Sequence, residues 1–318
     1  MDARRAETVG KRFDDDFARS LNEGLRRNPK EIACKYFYDA EGSVLFEAIC
    51  ALPEYYQTRT EAMLLRRHAP EIAALIGGGA EIVEFGAGSL RKVRLLLEAL
   101  DSPRAYTPID ISGAYLGDVA QLLSLEYPSL HVRPVTADFT LSLHLPLLPD
   151  APRRAGFFSG GTIGNFRPDA AMALLRRMRE MLGGGGLLIG VDLVKDPALL
   201  HAAYNDSAGV TAAFNKNLLA RANRELDAGF DLQAFAHYAP YNPSAQRIEM
   251  YLVSLKRQSV RLPGGAVEFA AGEPIHTEDS HKYSIESFRE IAARAGFNPR
   301  AVWTDENRLF AIHWLEVR

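Results

Sequence analysis

Residues 82–92 read IVEFGAGSLRK. The stretch opens as a short apolar strand, and Gly86 and Gly88 follow it. Glycine has no Cβ, so the chain can turn tightly there and a ligand can approach the main chain. A helix beginning near Ser89 aims its unpaired N–H groups at that ligand. Such a turn is also a common plain connection, so its neighbours decide. Asp110 ends a second strand in TPIDIS, 22 residues after Gly88. An acidic residue at about that distance accepts hydrogen bonds from ribose hydroxyls. Asp138 and Phe139 close a third strand in VTADFT. A carboxylate beside a flat ring suits an adenine, which offers an amino group and a stacking face. The dinucleotide spacing Gly-x-Gly-x-x-Gly fails at Arg91, and Lys92 follows, which weighs against a nicotinamide. No Gly-x-x-x-x-Gly-Lys-Ser/Thr occurs, so a P-loop is excluded.

Working outward, helix and strand alternate from Glu61. Helices are expected at 61–76, 89–100, 114–127 and 170–182, and strands at 81–85, 105–109, 132–136, 156–159 and 186–193. Strands separated by helices mean βαβ units and a parallel sheet. The rhythm stops after Asp196: residues 197–224 read as helical, and 230–282 hold strand-like pieces. It returns with a helix at 284–295 and a strand hairpin in AVWTDENRLFAIHWLEV. A sheet that resumes after an interruption implies two discontinuous domains. One is 61–196 plus 287–318, with a polar N-terminal helix over 1–29; the other is 30–60 plus 197–286. In the second, Leu45, Phe46, Ile49 and Leu52 recur at near-helical spacing until Pro53, with tyrosines at both ends.

The 318 residues are 47% apolar and 24% charged, values of an ordinary globular chain with a sizeable core. The net charge of −3 and the dispersed basic residues give no footprint for nucleic-acid binding. No apolar run reaches the roughly 18 residues that span a membrane, and the N-terminus lacks the apolar segment of a secretory signal. Two cysteines, Cys34 and Cys50, allow neither a disulfide framework nor a Cys-rich zinc site. The expectation is a reduced, cytoplasmic monomer without a metal.

The glycine turn, Asp110 and Asp138-Phe139, in this order, look like the α/β, seven-strand, Rossmann-like fold of S-adenosylmethionine-dependent methyltransferases, with a second α+β substrate-binding domain formed by discontinuous segments. Longer motifs sharpen the resemblance. KYFYDAEGSVLFEAICALPEYYQTRTE (35–61), GTIGNF (161–166), DLVKD (192–196), AYNDSAGVTAAFNKN (203–217), NRELDAGFDLQAF (223–235), RIEMYL (247–252) and HTEDSHKY (276–283) occur in sequence. Together they closely resemble the ergothioneine-pathway histidine Nα-methyltransferases, from about residue 20 to the C-terminus. A wider family of fungal indole-alkaloid N-methyltransferases shares parts of the pattern.

The resemblance implies three methyl transfers from S-adenosylmethionine to the α-amine of L-histidine, through its mono- and dimethylated forms, with histidine held between the domains. It implies that Tyr38 lies near the reacting amine and that Tyr55 contacts the imidazole. Asn165 and Tyr204 hold the carboxylate, Met250 walls the imidazole pocket, and Glu278 and Ser280 hydrogen-bond the ring. Gly86, Gly88, Lys92, Asp110, Asp138 and Phe139 take the cofactor side. The residue types suit the chemistry: an imidazole has two ring nitrogens and needs two polar partners, and a carboxylate wants donors. The transfer is expected to be an in-line displacement in which the protein mainly positions the amine, with Tyr38, through a water, as the proton relay. Gly160-Gly161, His281, Tyr283 and the GAGSLRK loop depart from the family pattern. The rival readings are a methyltransferase of tryptophan or another aromatic amine, which needs no second polar partner, and a non-catalytic cofactor-binding module.

Overall fold

In the computed structural model the described residues are 16–88, 90–148 and 153–318, so most of the expected N-terminal helix lies outside them. The chain divides into two compact units. One takes the described residues of Met1–Tyr56 together with Lys195–His281, the other Gln57–Val194 together with Lys282–Arg318.

The second unit is built on one sheet. Its strands lie side by side in the order Phe297–Thr304, Phe310–Val317, Gly186–Asp192, Arg154–Phe158, Glu81–Phe85, Ala105–Asp110 and His131–Val132, and Val135–Thr136 also pairs with Ala105–Asp110. The five inner and later positions run parallel, and the C-terminal hairpin is antiparallel to Gly186–Asp192. Glu81–Phe85, Arg154–Phe158 and Gly186–Asp192 are buried at every residue. Parallel strands covered on both faces read as continuous apolar runs for this reason. Among the charged residues in these strands, Glu81 meets Arg154 Nε at 2.8 Å and Thr107 Oγ1 at 2.8 Å, so its charge is paired inside.

The element breaks have local causes. The helix expected over 61–76 is two, Tyr56–Arg67 and Ala69–Ile76, because Pro70 has no N–H to continue the ladder. The third strand is cut between Val132 and Val135 by Pro134, which cannot donate to a sheet. The turn of the C-terminal hairpin is organised by Asp305, whose carboxylate accepts from the N–H groups of Asn307, Leu309 and Phe310.

The first unit holds an antiparallel sheet of Pro274–His281, Arg247–Ser254 and Phe235–Tyr238, with Lys30–Glu31 added parallel at one edge. The helical stretch expected over 197–224 is interrupted: Pro197–Tyr204 and Val210–Leu226 are separate helices. Asp206 accepts from Val210 N and Thr211 N, both at 2.8 Å, and starts the second helix. Residues 16–29, grouped by sequence with 61–196, fall in the first unit. Phe17 is buried there, 4.8 Å from the Tyr36 ring and under the Arg221 guanidinium at 4.7 Å.

His313, in Phe310–Val317, has no solvent exposure, and neither ring nitrogen has a hydrogen-bond partner. Burial first, and the Arg289 charge second, lower its pKa to about 3. A histidine buried neutral must charge when acid unfolds the chain. The native state then binds fewer protons than the unfolded state, whose histidine titrates near 6.5, about its free value. Stability is full above that pH and falls as pH drops from there toward the folded value. Urea unfolding at pH 7 and pH 5 should show a loss of roughly 2 kcal/mol from this residue. His313→Leu should remove that part of the pH dependence; an unchanged pH dependence would assign the acid sensitivity elsewhere.

Candidate functional site

In the second unit the candidate residues gather at the carboxyl edge of the sheet. Phe85 pairs with Ile109, and Asp110 with Thr136, in parallel register, so the residues after these strands share one edge. Open α/β sheets bind ligands at that edge. The loop folds back on the second strand: Gly86 N and Ala87 N donate to Ile109 O at 2.9 and 3.1 Å. Gly86 has φ +73°, and a Cβ there would stand 3.2 Å from Phe139 Cε1. Glycine is therefore required by conformation and by space. At Gly88 a Cβ would meet no protein atom within 4 Å. Tyr115, absent from the sequence-based set, fixes this loop by donating its hydroxyl to Gly88 O.

Asp110 accepts from Ser112 N at 2.9 Å. Burial raises its pKa, and the N–H groups of Ser112 and Ile111 act against that rise. Asp138 accepts from Thr140 N at 2.9 Å, and the Phe139 ring stands edge-on to Phe158 at 5.6 Å. One desolvated carboxylate, a second carboxylate and an aromatic ring at a shared edge fit an adenosine group. Lys92 does different work from a bare ligand contact. Its Nζ lies 2.6 Å from Glu61 Oε2, and Glu61 also accepts from Gly160 N at 2.9 and 3.0 Å. Glu61 is 1% exposed, so this pairing anchors the 160–161 turn in the interior. Gly161 has φ +70°, a backbone conformation that favours glycine. Asn165 ends the short helix Thr162–Asn165 that follows. It does not cap Pro168–Leu182, whose N-cap is Arg167.

Glu84, the acidic residue before the glycine turn, stands outside the sequence-based set of site residues. Buried in the first strand, it accepts from the Tyr106 hydroxyl. Burial pushes its pKa up to about 8, against the pull of that hydrogen bond and of the Lys92 charge. Its signal was a second acidic residue, after Glu81, inside an otherwise apolar strand.

The first unit brings together Tyr38, Tyr55, Tyr204, Met250, Glu278 and Ser280. Met250 pairs with Glu278, and Ile248 with Ser280, across the antiparallel ladder. Paired residues present side chains on the same face, so Met250, Glu278 and Ser280 share one. The Tyr204 hydroxyl lies 2.7 Å from Ser280 Oγ. Tyr204 itself ends the helix Pro197–Tyr204, and its carbonyl accepts from His237 Nε2 at 2.8 Å. The Phe46 ring lies 5.6 Å from Tyr38 and 6.3 Å from Tyr55, edge-on to both. Phe214 meets Tyr38 at 5.8 Å. Asp39 caps the helix Ala40–Ala51 through Gly42 N and accepts from Asn217 at 2.7 Å and from Arg224, which fixes the backbone beside Tyr38.

The phenols of Tyr38 and Tyr55 are held well above the ordinary phenol value. Loss of water is the first cause for both, followed by the Glu278 carboxylate for Tyr38 and by Tyr204 for Tyr55. Both hydroxyls therefore stay neutral at physiological pH. Asn165 belongs to the other unit from Tyr204, its expected partner on the carboxylate.

The family described as "Histidine-specific methyltransferase, SAM-dependent" matches residues 17–317. The chain belongs to this family. It is a methyltransferase of the α/β class that uses S-adenosylmethionine. It is 43% identical to histidine N-alpha-methyltransferase of Mycolicibacterium smegmatis over 90% of each chain. It is 32% identical to ergothioneine biosynthesis protein 1 of Neurospora crassa, over 90% of this chain and 33% of that longer protein. It is 27% identical to 4-dimethylallyltryptophan N-methyltransferase of Epichloe festucae var. lolii, over 96% of each. No helix among the described residues of the methyltransferase is long and apolar enough to cross a membrane.

The two loop glycines of the methyltransferase separate folding from binding. Gly86→Ala adds a Cβ 3.2 Å from Phe139 at a positive φ and should lower the thermal midpoint, at a cost of roughly 1–2 kcal/mol. Gly88→Ala meets only open space and should leave the midpoint unchanged. If a ligand approaches the main chain at this turn, Gly88→Ala should still weaken S-adenosylhomocysteine binding by about tenfold in calorimetry, a change of about 1.4 kcal/mol. Full affinity in that variant would remove Gly88 from the cofactor site.

Proposed function

We propose that the chain transfers three methyl groups in succession from S-adenosylmethionine to the α-amine of L-histidine. The product is trimethylhistidine betaine (hercynine), the first step of ergothioneine biosynthesis. The observation that carries this reading is the polar face of Pro274–His281. Glu278 and Ser280 stand there two residues apart beside Met250, and Ser280 is bonded to Tyr204.

S-adenosylmethionine supplies an electrophilic methyl group on a sulfonium, and Gly86, Gly88, Asp110, Asp138 and Phe139 are proposed to hold it. Lys92 supports that side through Glu61, by anchoring the Gly160 turn. Glu278 accepts from one imidazole N–H, and Ser280 serves the other ring nitrogen, because an imidazole needs two polar partners. When Ser280 donates to Tyr204, the Tyr204 hydroxyl keeps its own proton for a carboxylate oxygen. Asn165 supplies a further amide donor to that carboxylate. Met250 and Tyr55 give the ring its apolar walls.

Tyr38 is assigned to the amine. Its raised phenol pKa rules out a standing tyrosinate, so Tyr38 does not abstract the amine proton as an anion. A neutral phenol can still accept from the ammonium while donating to water, which orients the amine and passes its proton outward.

The reading is tested at Glu278. Glu278→Ala removes a charge-assisted hydrogen bond of roughly 1.5–3 kcal/mol, so L-histidine should bind about 10–150-fold more weakly in calorimetry with S-adenosylhomocysteine present. Discrimination against tryptophan should shrink in the same variant, since polar selection resides there. Mass spectrometry of the wild-type reaction should show mono-, di- and trimethylated histidine. Unchanged histidine affinity in Glu278→Ala, or preferential methylation of tryptophan, would move the substrate to another aromatic amine, as the name of the Epichloe relative describes for that enzyme.

A further inference from the structure

Pro274–His281 carries a second set of polar side chains on its other face. Glu249 pairs with Asp279, and Arg247 with His281, so these four lie opposite to Met250, Glu278 and Ser280. Asp279 is 6% exposed and doubly held. His276 Nε2 lies 2.9 Å from its Oδ1, and Arg247 Nη1 3.2 Å from its Oδ2. Arg247 is braced in turn by Glu249 at 2.7 Å, and Glu249 accepts from Asn242 at 3.0 Å and from Tyr251 at 2.8 Å.

The ladder also slips by one residue here. Met250 pairs with Glu278, but Tyr251 pairs with His276, which leaves Thr277 as the extra residue of a bulge. Thr277 Oγ1 donates to Met250 O at 3.1 Å. Because of that extra residue, His276 and Asp279, three apart, reach the same outer face and meet. Without it, strict alternation would send them to opposite faces. A one-residue change of register beyond the bulge would likewise turn Asp279 inward and carry Glu278 and Ser280 away from Tyr204.

We propose that Asp279 is a positioning residue for substrate discrimination: clamped by Arg247 and His276, it holds the register in which Glu278 and Ser280 stand together on the inner face. The proposal rests on the reading that those two side chains meet the imidazole. Asp279 touches no substrate. Small displacements of positioned groups are costly in such sites, on the order of a hundredfold per ångström at the extreme.

The test is a double-mutant cycle read by calorimetry of L-histidine with S-adenosylhomocysteine present. Asp279→Ala alone should weaken histidine binding about tenfold, through Glu278. In a Glu278→Ala background the same change should then cost less than about twofold, the sign of two residues acting as a unit. Affinity for S-adenosylhomocysteine should stay within about twofold throughout, a readout that general loss of folding would move. Unchanged histidine affinity in Asp279→Ala overturns the proposal, and so does a full tenfold loss in the Glu278→Ala background. Unchanged histidine affinity in Glu278→Ala alone overturns the substrate reading itself and this proposal with it. If Asp279→Ala does not fold, Arg247→Met releases the same clamp from the other strand and is judged by the same outcomes.

Discussion

Backbone pairing in a sheet dictates where polar side chains can go, and both units of this protein are organised by that constraint. Parallel strands covered on both faces, such as Glu81–Phe85 and Gly186–Asp192, have no face left for chemistry. Their functional groups therefore collect beyond the strand ends, at Gly86, Asp110, Asp138 and Phe139. The antiparallel pair Arg247–Ser254 and Pro274–His281 has two different faces, and its chemistry lies on one of them. The proposed cofactor groups are thus an edge and the proposed imidazole groups a face, for a single physical reason.

Charge inside the fold follows the rule that a buried ion needs a partner. Glu61 has Lys92 and the Gly160 N–H, Glu81 has Arg154, and Asp192 has the fully buried Lys282 at 2.9 Å. Glu84 has chiefly a phenol hydroxyl, and burial accordingly drives it toward its neutral form. Beside Glu278 the strand pair presents the Met250 thioether and the Ser280 hydroxyl, which is bonded to the Tyr204 phenol.

Much of the fold was legible because burial writes a period into the sequence. The strand 81–85 and the C-terminal hairpin follow directly from apolar runs and turn residues. The breaks were harder. Pro70 and Pro134 were visible, but apolar periodicity runs through them, and only the missing N–H groups show that the ladders stop. The interruption at 205–209 depends on Asp206 turning its carboxylate to Val210 and Thr211, an alternative that composition does not announce. Residues 16–29 joined the first unit through Phe17 and Arg221, a pairing of positions some 200 residues apart that no local pattern encodes.

For the site, sequence alone determined the residue types and their order: the glycine turn, the acidic strand ends, the tyrosines and the Glu-x-Ser pair, because these chemistries recur in fixed local motifs. Tertiary structure decided which of them touch. It turned Lys92 toward Glu61, bonded Tyr204 to Ser280, and brought Tyr115 to the glycine loop. It also placed the bulge at Thr277 that lets Asp279 and His276 meet on one face while Glu278 and Ser280 share the other. A motif fixes neighbours along the chain, whereas a strand's register is set by the hydrogen bonds of its partner strand, and those are read only from the fold.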